Sequence, residues 1–252
     1  MTAINKLCVA LPLYNEEENV KPLVTSWLSM DKYLKKENIQ LELVLINDGS
    51  QDETLKICKE LMRQYLNVKM VNHNINKGLG EVLNSALTYA IDTEATYLCI
   101  MDGDQTHRPH YIISMLRKLK DEQLDCVIAS RFQKGARVEG LSLFRKLMTL
   151  GARFVYKIRL RIPHVRDYTC GYRLYQIDIL RKLQEQYGPQ IVKERSFVCM
   201  AELLYKVHIV GGEVGEVPFT LQYQLKKGTS KMNILQTAKR SLRFVRKMKD
   251  AA

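Results

Sequence analysis

The first half of the chain alternates short apolar runs with amphipathic stretches. The runs at Leu7–Leu13, Leu41–Asn47, Val68–Asn72, Thr96–Met101 and Cys126–Ser130 predict five β-strands. Segments near Glu17–Leu34, Asp52–Tyr65, Leu79–Ile91 and Pro109–Lys120 place apolar residues at helical spacing and predict helices. Strands and helices in this alternation predict an α/β, Rossmann-like fold: a mostly parallel sheet flanked by helices. Such sheets bind ligands at the carboxyl ends of their strands, so polar clusters should follow the strands. They do. The first run leads into Pro12-Leu13-Tyr14-Asn15-Glu16, the second into Asn47-Asp48-Gly49-Ser50, and the third into Asn76-Lys77-Gly78-Leu79-Gly80. The fourth ends in Asp102-Gly103-Asp104 and the fifth in Ser130-Arg131.

The second half is less regular. A basic amphipathic stretch at Leu141–Leu160 precedes a polar turn, Arg166–Arg173, and helical patterns at Ile177–Tyr187 and Val198–Val207. A strand pair near Glu213–Tyr223 and a basic amphipathic helix, Ile234–Lys249, complete the pattern. No repeat or Pro/Gly-rich linker divides the chain. We expect one domain over 1–232, with halves at 1–130 and 131–232. Residues 233–252 hold the basic helix.

Hydrophobic residues make up 46% of the 252 and charged residues 26%, which excludes a disordered chain. The net charge of +12 implies an anionic partner: nucleic acid, a membrane surface or a phosphorylated substrate. Aromatics are only 8% and no nucleic-acid-binding motif is present, so nucleic acid is the least favoured of the three. The six cysteines are scattered without a C-x-x-C pair, which predicts reduced, buried thiols in a cytoplasmic protein. No stretch approaches the ~20 apolar residues that span a bilayer, so membrane contact would be peripheral. From Lys226 to Lys249 there are nine Lys or Arg and no acidic residue. From Arg131 to Arg161 there are nine against one, with Leu147, Phe154 and Ile158 among the interleaved apolar residues. That pattern fits an anionic membrane surface; the alternative is an apolar face turned to the core beneath solvated charges.

Asp102 and Asp104 bracket a glycine, which permits a tight turn that aims both carboxylates at one cation. Hard oxygen ligands suit Mg²⁺ or Mn²⁺ shared with substrate phosphates. Asp48 precedes the residues that would cap the next helix, and a carboxylate there can accept from the N–H groups of a nucleobase. The glycines at 78 and 80 precede a helix whose free N–H groups could meet phosphate. The full G-x-G-x-x-G fingerprint is broken at Leu83 and no Walker lysine is present, which disfavours dehydrogenases and P-loop enzymes.

In order, LPLYNEEENV, INDGSQDET, NKGLGEVLNSAL, MDGDQTHRP, ASRF, RDYTCGYRLY, EVPF and GTSKM resemble the inverting family 2 glycosyltransferases of GT-A fold. Within them the chain is similar to the dolichyl- or polyprenyl-phosphate sugar transferases. The resemblance runs from Leu11 to Met232.

It implies a nucleotide-sugar donor, GDP-mannose or a UDP-hexose, with mannose favoured, bound by the 1–130 half, and makes 131–232 the acceptor half. Pro12, Tyr14, Glu16 and Asp48 would hold the nucleoside, with Gly78 also on the donor side. Asp102 and Asp104 would hold the metal, and Gln105 is the expected third ligand. The family's glutamine sits one position later, where this chain has Thr106. Arg131 would lie near the reacting phosphates, and Arg145 with Thr149 would meet the acceptor phosphate. Gly228, Ser230 and Lys231 match a loop that closes over the donor, with Leu225 where the family tends to carry an arginine. Asp104 and Arg131 are expected to be catalytic. Asp167 is the base candidate should the acceptor be a hydroxyl, and a salt bridge to Arg166 or Arg173 is its alternative role. The implied enzyme is a peripheral protein on the cytoplasmic face of a membrane, where a small membrane subunit is a further expected partner.

Overall fold

The computed structural model describes residues 4–225 and 234–249. Strands β1 (Asn5–Leu13), β2 (Ile39–Asp48), β3 (Val68–His73), β4 (Tyr97–Ile100) and β5 (Cys126–Ser130) form where the apolar runs predict them. Every residue of β4 and β5 is buried, because helices cover both faces; such strands read as continuous apolar runs. The connecting helices are α1 (Glu17–Leu28), α2 (Asp31–Lys36), α3 (Thr54–Gln64), α4 (Leu79–Asp92) and α5 (Tyr111–Asp121). The helix expected at Glu17–Leu34 is therefore two. The N–H groups of Ser29 and Met30 close back on Thr25 and Trp27 before α2 begins.

The remaining elements are β6 (Arg137–Glu139), α6 (Leu143–Leu160), β7 (Arg173–Gln176), α7 (Ile177–Tyr187), α8 (Cys199–Ile209), β8 (Val214–Pro218), β9 (Thr220–Gln222) and α9 (Ile234–Lys249). The main sheet runs β3-β2-β1-β4-β7-β5-β8. β1 pairs with both β2 and β4, all parallel. The chain winds away from that pair in both directions, so the crevice at their carboxyl ends is the switch point where such sheets bind ligands.

Two parts of the second half correct the sequence expectation. Arg173 does not end a polar turn; it opens β7, which lies antiparallel between β4 and β5. Nor do β8 and β9 form a strand pair. β8 joins β5 in the main sheet, while β9 pairs with β6 in a separate two-stranded sheet. Pro218, which has no N–H to donate, stands where the two part company.

The core is apolar and continuous around β1, β2 and β4, with Trp27 fully buried against it. All six cysteines are buried and unpaired, and burial pushes the Cys58 and Cys126 thiols up to about 12. Helix α9 packs on α6: Tyr156 donates its O–H to Ser241 (2.8 Å), and Phe244 and Val245 are buried. Among the described residues no helix is long and apolar enough to cross a membrane.

Candidate active site

The carboxyl ends of β1, β2 and β4 open into one cavity of about 510 Å³. Pro12, Tyr14 and Glu16 line it from the end of β1, Asp48 from β2, and Asp102 with Asp104 from β4. Arg131 enters after β5, and Arg145 and Thr149 from α6. Residues spread from 12 to 149 in the chain therefore share one space, as the strand-end rule demands.

Asp48 organises its neighbours. Its Oδ1 accepts from Lys77 N–H (2.9 Å) and lies 2.8 Å from His73 Nδ1, while its Oδ2 accepts from Gly78 N–H (2.9 Å). Gly49 makes the turn possible: its φ is +66°, and a Cβ there would lie 2.4 Å from Asn76 N. This corrects the expectation that the N–H groups around Gly78 are free for phosphate. Two are held by Asp48, and Gly80 N–H donates to Arg195 O (3.4 Å). A Cβ on Gly80 would lie 1.9 Å from Glu194 O, so that glycine serves the close passage of the 194–195 backbone. Gly78 still lines the cavity.

Asp102 and Asp104 both face the cavity, and Gly171 runs so close to the first that a Cβ there would lie 2.5 Å from its Oδ1. Asp104 Oδ1 accepts from the Thr106 hydroxyl (2.7 Å) and N–H (3.2 Å), which fixes its rotamer. Gln105, expected as the third metal ligand, is placed elsewhere. Its φ is +61°, it does not line the cavity, and its amide donates to Asn19 Oδ1 (3.1 Å). Thr106 and His107 line the cavity in its stead. Among the described residues no group of three His, Cys, Asp or Glu side chains is arranged to hold a metal. Two carboxylates that line one cavity nevertheless fit Mg²⁺ or Mn²⁺, whose other ligands are commonly water and substrate phosphate.

Asp167 is fully buried, does not line the cavity, and bonds neither Arg166 nor Arg173. Its partner is Arg131: Nε donates to Oδ2 (2.8 Å) and Nη2 to Oδ1 (2.6 Å). The N–H groups of Arg131, Thr169 and Cys170 also donate to it at 3.0–3.2 Å. Burial alone would raise this carboxyl, but the Arg131 guanidinium and these hydrogen bonds outweigh it and hold it below the usual carboxylate range. A buried, ionised carboxylate with its oxygens engaged cannot collect a proton from an acceptor, which corrects its candidacy as base. It positions Arg131. Glu216 in turn accepts from the N–H groups of Arg166 and Asp167, both at 2.7 Å, and so fixes the loop that carries Asp167.

Arg145 donates to the Tyr223 hydroxyl, with its guanidinium 5.2 Å from that ring's centroid. Thr149 bonds its own helix at Arg145 O (2.8 Å). Cys170 lies 3.8 Å from His107 Nε2, but burial pushes its thiol up to about 12, so it is no nucleophile. Sequence reasoning missed Tyr223 and the segment Arg195–Phe197, which also line the cavity. Tyr223 follows the short β9 of the small sheet and Arg195–Phe197 precede α8, so neither lies at a strand end of the main sheet, the signal that found Asp48, Asp102, Asp104 and Arg131. Gly228, Ser230 and Lys231 lie outside the described residues.

A doubly wound sheet with paired aspartates at its switch point and arginines across the cavity is the architecture of a GT-A glycosyltransferase. The chain belongs to glycosyl transferase family 2, whose family profile matches residues 8–184. It is 28% identical over 228 residues to the dolichol-phosphate mannosyltransferase of Pyrococcus furiosus, covering 90% of this chain but only 59% of that protein. It is 26% identical to the UDP-N-acetylglucosamine–dolichyl-phosphate N-acetylglucosaminyltransferase of Methanococcus voltae, covering 88% of this chain and 89% of that one. Two solved structures share the fold. One is the Pyrobaculum calidifontis mannosyltransferase PcManGT with GDP-Man and Mn²⁺ (TM-score 0.56, 16% identity, 86% of this chain and 56% of that one). The other is S. aureus TarS 1–349 with UDP-GlcNAc (TM-score 0.62, 17% identity, 96% and 66%).

Proposed function

We propose that the enzyme transfers a hexose, mannose favoured, from a nucleotide-sugar to a polyprenyl or dolichyl phosphate at a membrane surface. The observation that carries this reading is the two-sidedness of α6. Arg145, Met148, Thr149, Ala152 and Tyr156 line the cavity. Leu143, Leu147, Leu150, Phe154 and Ile158 stand exposed, by 48–78%, at spacings of four, three, four and four residues. Five apolar side chains on one outward stripe, with exposed Lys157, Arg159 and Arg161 near its end, suit an anionic bilayer. The same helix then brings Arg145 to a phosphate carried by a lipid. The curated relatives named above support this acceptor class by their own names.

The donor's nucleoside would lie against Pro12, Tyr14, Glu16 and Asp48. Asp102 and Asp104 would hold Mg²⁺ or Mn²⁺, which when bound neutralises charge on the leaving diphosphate. Arg131 and Arg145, each fixed by a partner, orient the acceptor phosphate for in-line attack. An acceptor phosphate oxygen bonds to the anomeric carbon as its bond to the diphosphate oxygen breaks, with inversion. A hydroxyl acceptor would require a general base. A phosphomonoester does not, because with a second pKa of roughly 6 it is already anionic near neutral pH. The burial of Asp167 beneath Arg131 agrees with that chemistry.

The test is turnover of a panel of GDP- and UDP-sugars with Mn²⁺ or Mg²⁺, with and without a short polyprenyl phosphate. Lipid-phosphate-dependent transfer that is lost in Asp104→Ala is the expected result. Transfer to a sugar hydroxyl instead, with none to the lipid, sinks the acceptor and keeps the family.

A further inference from the structure

Three arginines line the cavity: Arg131, Arg145 and Arg195. Arg131 is held by Asp167 and Arg145 by Tyr223, whereas the Arg195 guanidinium has no hydrogen-bond or ion-pair partner among the described residues. It stands on the wall built by the start of α4 and not on that of α6: a Cβ on Gly78 would lie 2.7 Å from Arg195 O and 3.2 Å from its Cβ.

The backbone that presents Arg195 is anchored far more firmly than a surface loop requires. Val192 exchanges two 2.8 Å hydrogen bonds with the buried Asn84 amide of α4. Glu202 of α8, 4% exposed, accepts from Lys193 N–H (3.0 Å) and Glu194 N–H (2.8 Å). Lys206 Nζ then ties Glu202 Oε1 to Ile191 O, both at 2.6 Å. Arg195 itself closes the array through Gly80 N–H. The fixed backbone removes one part of the ordering cost when an anion arrives, and a permanently charged fork matches phosphate oxygens in its geometry.

We propose that Arg195 binds a substrate phosphate group in this cavity. The inference rests on the glycosyltransferase reading for the presence of a phosphorylated substrate, and on its own geometry for the residue. Two phosphates enter such a site, the donor's diphosphate and the acceptor's phosphomonoester. Contact with Gly78, whose N–H is held by Asp48, favours the donor.

The experiment is calorimetric titration of wild type, Arg195→Ala and Arg195→Lys with GDP and UDP in Mn²⁺. It is paired with the KM for farnesyl phosphate, and with guanosine and uridine as phosphate-free controls. We expect Arg195→Ala to weaken nucleoside diphosphate binding about 10-fold, the usual scale for a lost charged hydrogen bond. Arg195→Lys should recover part of that loss, and nucleoside binding should not move. Weakening confined to farnesyl phosphate keeps the proposal and assigns the site to the acceptor. Wild-type nucleoside diphosphate binding and farnesyl phosphate KM that both survive Arg195→Ala within about twofold overturn it. A wild-type protein that binds neither nucleoside diphosphate nor farnesyl phosphate overturns the glycosyltransferase reading instead.

Discussion

Arg131 and Asp167, 36 residues apart, form a bidentate pair in which Nε and Nη2 reach the two carboxylate oxygens at 2.8 and 2.6 Å. The carboxylate is fully buried and the guanidinium nearly so, which leaves the arginine's remaining donors aimed by a fixed partner. Removing one member strands the other in low dielectric, at a cost of about 3–5 kcal/mol. Asp167→Asn should therefore lower both stability and turnover. Its turnover loss should match that of Arg131→Ala within about threefold, and a double variant should be little worse than either, because the two act as a unit. Additive losses would dissolve that unit.

The same pair sets an acid limit. The Asp167 carboxyl titrates below its unfolded value of roughly 3.9, so the pair's stabilisation is present above that pH and lost as pH falls through the folded value. Thermal melts from pH 6 down to pH 3 should show wild type losing melting temperature more steeply than Asp167→Asn below about pH 4. Parallel curves would contradict the ionised, paired state.

Much of this site was legible in the sequence because a parallel sheet forces chemistry to its strand ends. Asp48, Asp102, Asp104 and Arg131 each follow an apolar run, and the cavity collects all four. The partner of Asp167 was not legible. Arg166 and Arg173 are its neighbours in sequence, yet Arg173 is drawn into the sheet by β7, where it donates to Met200 O and Tyr168 O. β7 itself, RLYQ, has a polar residue at each end and lacks the continuous apolar run that marks the equally short β4. The glycines at 78 and 80 mislead for a similar reason. A glycine signals close approach, but the sequence does not say whether a ligand or another stretch of backbone approaches.

Gly171 offers a way to move one carboxylate without touching it. A methyl group there would press on Asp102, the end of a side chain that can swing, so the fold should tolerate Gly171→Ala. Mn²⁺-dependent nucleotide binding should weaken at least tenfold while the melting temperature shifts by no more than about 2 °C, since the clash falls on the end of the Asp102 side chain and not on backbone. An unchanged affinity would remove Asp102 from the site.

Thr106 tests the neighbouring carboxylate. Its hydroxyl holds Asp104 Oδ1 at 2.7 Å, and a hydrogen bond of this kind contributes about 1 kcal/mol, or roughly fivefold. Thr106→Val should raise the Mn²⁺ concentration needed for half-maximal turnover by about that factor, and Thr106→Ser should restore it. Chelation with EDTA should abolish turnover in all three proteins and added Mn²⁺ should return it. If activity persists in chelator, the paired aspartates act without a metal.

The exposed stripe of α6 makes the most direct claim about where the enzyme works. Leu147 and Phe154 are 68% and 66% exposed, so replacing them costs the folded protein little. In a bilayer each would bury surface contributing about 1.5–3 kcal/mol, and a glutamate there would also meet anionic headgroups. The Leu147→Glu, Phe154→Glu double variant should fail to co-float with vesicles of mixed neutral and anionic lipid that carry the wild type. Its turnover with a water-soluble short-chain prenyl phosphate should remain within about twofold, because neither residue lines the cavity. Its turnover with long-chain polyprenyl phosphate in those vesicles should fall at least tenfold. Equal flotation of the two proteins would assign the stripe to a protein partner or to no partner, and would separate the acceptor's chemistry from the enzyme's place on a membrane.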